Sequence, residues 1–224
     1  MHGNADALRA VLFELNKNKV DQVLTTGDLI GYYFSPREVV DLLKNETAIF
    51  VKGNHEKMLE RSRYNKEELA LIESKYGCGI RLALETFSEE QLNWIINLPT
   101  SISLDIGGCK IFLCHGTPFS EEAYLYPDAP PEALAKYSSL PHDFIIMGHT
   151  HYPMDRKAGF VRVINPGSVG QPRSKTKKAS WATLDTKTGK VEFYSTAYDA
   201  TSLIKQCKER HPEIPYLADV LWKR

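Results

Sequence analysis

The chain contains no CxxC pair: its four cysteines, Cys78, Cys109, Cys114 and Cys207, stand far apart. That spacing speaks against a thiolate zinc module. A chain of 224 residues also buries enough core to fold without disulfide staples, so reduced thiols are expected. No run approaches the roughly 20 apolar residues needed to cross a bilayer, and the start shows no basic-then-apolar leader pattern. Net charge is lacking too. The 28 basic and 28 acidic residues cancel, which argues against a general electrostatic grip on nucleic acid or anionic membrane. There is no internal repeat, low-complexity segment or linker. With 42% hydrophobic and 25% charged residues, the expectation is a cytoplasmic, globular, single domain over 1–224.

Helical and strand periods alternate along the first half. Leu8, Val11, Leu12 and Leu15 recur at helical spacing after Asn4, a candidate N-cap, so 5–17 reads as an amphipathic helix. Val20 to Thr25 reads as a short apolar strand. Ser35, Pro36 and Glu38 read as the capping box and first turn of a second helix, and Ala48 to Val51 as a second strand. Strand, helix, strand implies a parallel pair. Residues 57–98 read as two or three short helices, the last capped by Ser88 and Gln91. From 101 onward strands dominate, with a hairpin turn at Thr186 to Lys190.

The histidines are unevenly placed. Five of the seven, His2, His55, His115, His149 and His151, fall in polar turns, and three of those turns directly follow apolar strands. Asp28 and Asn54 occupy turns of the same kind. In α/β sheets such strand-end turns converge on one ligand site. Carboxylate, amide oxygen and imidazole together suit Mn²⁺, Fe or Zn²⁺ better than Ca²⁺. Two cations about 3.5–4 Å apart clamp a phosphoryl group and activate water, and a shared carboxylate such as Asp28 holds such a pair together.

Taken in order, "MHGN", "TGD" (26–28), "GNHE" (53–56), "CHG" (114–116) and "GHTH" (148–151) resemble the motif series of the calcineurin-like metallophosphoesterases. "NPGSVGQPR" (165–173) resembles a further loop of that family. The resemblance covers residues 1 to about 195 and is closest to the small bacterial and archaeal phosphodiesterase branch. It implies an α/β fold, a four-layer α/β/β/α sandwich with a helical insertion at 57–98. It also implies two divalent metals, Mn first, with Fe, Zn or Ni as alternatives. By matching position, Asp28 resembles the bridging carboxylate, Asn54, His115 and His149 the second metal's ligands, and His2 and His151 ligands of the first. His55 resembles the proton donor or phosphate contact, with Glu56 orienting its ring. The activity implied is phosphodiester hydrolysis by a metal-bridging hydroxide. The alternatives are a phosphomonoesterase, a dinucleoside polyphosphate hydrolase, or an impaired metal-binding scaffold.

The family's first motif places an aspartate two residues before the histidine, at the end of a first strand. The expectation is that Met1 is internal to an Asp-Met-His-Gly-Asn stretch, which the intact mass of the native protein tests. Without that strand, the first metal site is expected to be weak and the apolar edge at Val20–Thr25 to be open. Tyr32 and Arg173 are the candidate substrate contacts, for a small and nucleotide-like phosphoester. The stretch 121–137, rich in Tyr and Pro, is a candidate cleft wall.

Overall fold

The helix read from the leucine period forms at Ala5–Lys17 (α1), and Asn4 caps it by accepting from the Ala7 N–H at 3.1 Å. In this computed structural model, which describes residues 1–221, the elements continue in order along the chain. They are β1 (Val23–Thr25), α2 (Pro36–Lys44), β2 (Ala48–Phe50), α3 (Asn54–Ser62), α4 (Lys66–Tyr76), α5 (Gly79–Thr86) and α6 (Glu89–Ile96). Then come β3 (Ser101–Ile106), β4 (Cys109–Cys114), α7 (Pro131–Ala135), β5 (Phe144–Ile146), β6 (Pro153–Ala158) and β7 (Val161–Pro166). β8 (Ala179–Asp185), β9 (Lys190–Thr196), α8 (Thr201–Arg210) and α9 (Tyr216–Asp219) close the fold. No helix among the described residues is long and apolar enough to cross a membrane. The described cysteines are all free.

β1 and β2 pair in parallel, as the strand–helix–strand pattern requires. A five-stranded mixed sheet runs in the order β3-β4-β5-β7-β6, and β8 and β9 form an antiparallel hairpin. One apolar cluster packs α1 and α2 against α3, α5 and α6. A second lies on the five-stranded sheet, and a third joins α8 and α9 to Tyr32 and Tyr33.

Four local expectations differ from the structure. Residues 57–98, read as two or three short helices, hold α4, α5, α6 and most of α3. β1 begins at Val23 rather than Val20, because only three of its residues find ladder partners in β2. Ser35 makes no side-chain cap; Glu38, its expected box partner, instead takes an ion pair from Arg9 on α1. The edge strand β6 was not foreseen. It starts at a proline and carries Asp155, Arg156 and Lys157, the polar dress that keeps sheet edges from associating.

Among the described residues β1 ladders only with β2, and β8 only with β9, so each leaves one long edge open. Between those edges runs a groove of about 720 Å³. Leu8 and Leu12 of α1, Leu24 of β1, Ile111 and Ile164 of the central sheet and Trp181 of β8 are among the side chains that line it. Its upper end opens onto Asp28 and the histidine turns.

Candidate metal centre

Asp28 stands just beyond β1, Asn54 and His55 open α3 just beyond β2, and His115 follows β4. His149 and His151 lie in the turn after β5. His2 joins them through its backbone: its N–H donates to the Asp28 carbonyl at 2.8 Å, and that of Gly3 to Leu29 at 3.0 Å. Every candidate ligand therefore sits at the carboxyl end of a strand or is tied to one. His2, Asp28, His55, His115, His149 and His151 are all buried.

Tight backbone holds this rim. Glu56 is fully buried, and its carboxylate accepts from the N–H groups of Asp28 (2.8 Å), Leu29 (2.8 Å) and Gly53 (2.7 Å). It thus brackets the two turns that carry Asp28 and Asn54. The expectation that Glu56 orients the His55 ring is corrected here, because its oxygens are spent on backbone donors and His55 Nδ1 has no partner. Gly53 is required by space: a Cβ there would lie 2.2 Å from Asp28 Oδ1. At Gly31, with φ +91°, a Cβ would meet the His55 ring at 2.1 Å. Among the described residues, five of the seven non-glycine residues with positive φ are His2, Asp28, Tyr32, His149 and His151, so strained backbone concentrates on this rim.

The side chains converge from two sides on Asp28. Its Oδ2 lies 3.2 Å from His2 Nε2 and 3.5 Å from His115 Nε2, while its Oδ1 accepts from the His55 backbone N–H at 3.0 Å. His115 Nε2 is also 2.8 Å from Asn54 Oδ1 and 2.9 Å from His149 Nδ1. His115 Nδ1 lies 2.6 Å from the Thr26 carbonyl, which can only accept, so this nitrogen carries the proton. His115 Nε2 thus faces an amide oxygen, a carboxylate oxygen and a second imidazole nitrogen, the donor types that bind divalent cations. On the other side, His2, Asp28 and His55 bring ligand atoms within 4.8 Å of one another. The His151 ring centroid is 4.5 Å from that of His2, and its Nδ1 is buried without a partner.

Burial sets the charge state. Desolvation pushes His55 and His149 down to about 4 and holds His2 and His151 well below the usual histidine value. Neutral imidazole is the ligand form. Burial alone would raise the Asp28 carboxyl; the imidazoles of His115 and His55 and the His2 hydrogen bond outweigh it and hold the group well below the carboxylate range. Buried carboxylate, amide oxygen and neutral imidazoles thus fit divalent cations.

The two candidate substrate contacts part company. Tyr32 is 6% exposed and packs its ring 4.7 Å from His55 and 5.7 Å from Tyr76, so it lies under the site instead of offering a free face. Arg173 is half-buried, its charge acts on His55, His151 and Tyr32, and its Nε is buried without a partner. Two contacts went unread in the sequence. The Thr26 carbonyl escaped because a backbone acceptor has no residue signature. Tyr124, which stacks on His149 with centroids 4.0 Å apart, was one tyrosine of a suspected wall with nothing to single it out.

A family model, the calcineurin-like phosphoesterase superfamily domain, matches residues 1–189. An uncharacterized protein of Methanocaldococcus jannaschii is 31% identical over 234 residues, covering 95% of this chain and 91% of its own. The crystal structure of a hypothetical protein from Pyrococcus horikoshii superposes with a TM-score of 0.86 at 22% identity, over 99% of this chain and 94% of the other. A metallophosphoesterase from Sphaerobacter thermophilus gives 0.75 at 24% identity, over 97% and 94%.

Proposed function

The chain belongs to the calcineurin-like phosphoesterase superfamily, and we propose that it hydrolyses phosphodiesters at a site built for two metal ions. One observation carries this reading: Asp28 Oδ2 stands between the imidazoles of His2 and His115, 3.2 and 3.5 Å away. His2 and His151 would hold one ion with Asp28, and Asn54, His115 and His149 the other. Oxygen and imidazole donors without thiolate favour Mn, with Fe, Zn or Ni as alternatives. Bound there, the ions supply charge for the phosphoryl oxygens and acidify water.

The chain's own groups do the rest. Asp28 holds the two ligand sets in register, and Glu56 holds Asp28. His55 is neutral at physiological pH and serves as a hydrogen-bond donor to a phosphoryl oxygen; it has no proton to give until a bound anion raises its basicity. Arg173, whose buried Nε–H has no partner, is the candidate second donor to the phosphate.

The test is Mn²⁺-dependent release of p-nitrophenol from bis(p-nitrophenyl) phosphate against p-nitrophenyl phosphate. Faster turnover of the diester is expected. The reverse order would make the protein a monoesterase, and no turnover of either ester with metal bound would leave a binding scaffold.

A further inference from the structure

Beside the ligand cluster, the loop after β4 carries a row of aromatic rings. Tyr124 lies over His149 at an interplanar angle of 25° and keeps 54% of its surface exposed. Tyr126 lies parallel to it, 6° apart in plane with centroids at 5.9 Å, and is 41% exposed. Tyr152, which follows His151, flanks Tyr126 at 6.1 Å.

These rings are not loosely hung. Leu125, between the two tyrosines, is 5% exposed and packs into the cluster on the five-stranded sheet, pinning the loop and leaving its neighbours facing outward. Arg156 clamps the next turn, donating to the carbonyls of Pro127 at 2.6 Å and Ala129 at 3.0 Å. Large, half-exposed, rigidly held aromatic faces beside a phosphate-binding centre have an evident use. Stacking needs only a flat π-face on the ligand and tolerates many rings.

We infer that Tyr124 and Tyr126 form a stacking platform for a planar ring carried by the substrate, so that aromatic phosphodiesters are preferred to alkyl ones. The inference rests on the phosphoesterase reading for its phosphate and on the tyrosines for its ring. A nucleobase and a simple arene share this chemistry, and the test separates them.

Three diesters with the same p-nitrophenyl leaving group are compared: those of ethyl phosphate, phenyl phosphate and thymidine monophosphate. The expected result is a higher kcat/KM for the two ring-bearing esters. Tyr124→Ala should cut that ring-over-ethyl preference about 5- to 150-fold, through KM, whereas Tyr124→Trp keeps it. An advantage for thymidine over phenyl assigns the platform to nucleotides; equal advantages support a general arene platform. An unchanged preference in Tyr124→Ala overturns the inference. Equilibrium dialysis of thymidine monophosphate against the metal-free protein reads the platform without turnover, and weaker binding by Tyr124→Ala is expected. If no ester is hydrolysed but dialysis shows that weakening, the phosphoesterase reading fails and the platform stands. If binding is unaltered, the platform falls.

Discussion

The rim that gathers Asp28 and the histidines and the groove that runs below it are built on opposite terms. On the rim, polar groups are crowded to contact, brackets of hydrogen bonds fix the backbone, and left-handed residues are held against their preference. In the groove, apolar side chains from α1, β1, β8 and the central sheet face about 720 Å³ of space, and two strand edges have no ladder partner among the described residues. They meet at Met1, whose amine donates to the Asp28 carbonyl at 2.6 Å. The contrast teaches that order on the rim comes from short-range contacts between its own turns. Glu56 is the clearest case, because it joins the turns after β1 and β2 directly.

The largest expected effect strikes the rim's chemistry. Asp28→Asn keeps the shape and removes the charge that two ligand sets share, so diester turnover should fall about a thousand-fold. Calorimetric Mn²⁺ titration should show the tighter site gone while the far-ultraviolet spectrum stays native; turnover near the parent level would dethrone Asp28. The next attacks the bracket. Glu56→Gln turns one buried acceptor into a donor facing backbone N–H groups, at a cost of about 2–3 kcal/mol read from urea midpoints. An unaltered midpoint would mean the turns hold without it.

A third experiment sharpens the groove's side of the contrast. An apolar extension of six residues, fused to the Met1 nitrogen, should run back between β1 and β8 and convert the amine to an amide. Each kcal/mol it adds lifts the melting midpoint by about 2–4 °C, and Trp181 emission should shift to the blue. A serine-rich extension of equal length should do neither; if the two act alike, the groove is no seat for a strand. The smallest effect is the dependence on pH. Burial lowers His55 and His149 to about 4, so the folded metal-free protein binds fewer protons than the unfolded chain. Stability should therefore decline on acidification between about pH 6.5 and 4. Each group contributes about 1.4 kcal/mol per pH unit inside that window. Urea midpoints that stay level over it would contradict the buried, neutral state of the two rings.

How far these regions were legible in the sequence follows the same division. Asp28, Asn54, His115, His149 and His151 could be read because ligand-type residues directly after apolar strands are a conjunction that chance rarely makes. Asn4 and Ser88 could be read as caps because capping is decided within four residues. Ser35 was legible in position and not in bonding: it stands at the N-cap with Pro36 in the first turn, but the capping box does not form, and Glu38 pairs with Arg9, distant in sequence. The role of Glu56 was assigned to its neighbour's ring, whereas its oxygens serve amide groups up to 28 residues away. β6 stayed hidden because an edge strand is selected for looking unlike a strand.

Left-handed backbone at His2, Asp28, His149 and His151 carries one more consequence. Glycine or asparagine at any of these positions relaxes the main chain, by an amount on the order of 1 kcal/mol or more. A library of variants sorted only for folding would therefore drift away from the ligands, and one sorted for phosphate chemistry would drift back. At these four positions tolerance maps from the two screens should be near mirror images, whereas at Leu8 or Ile111 they should agree.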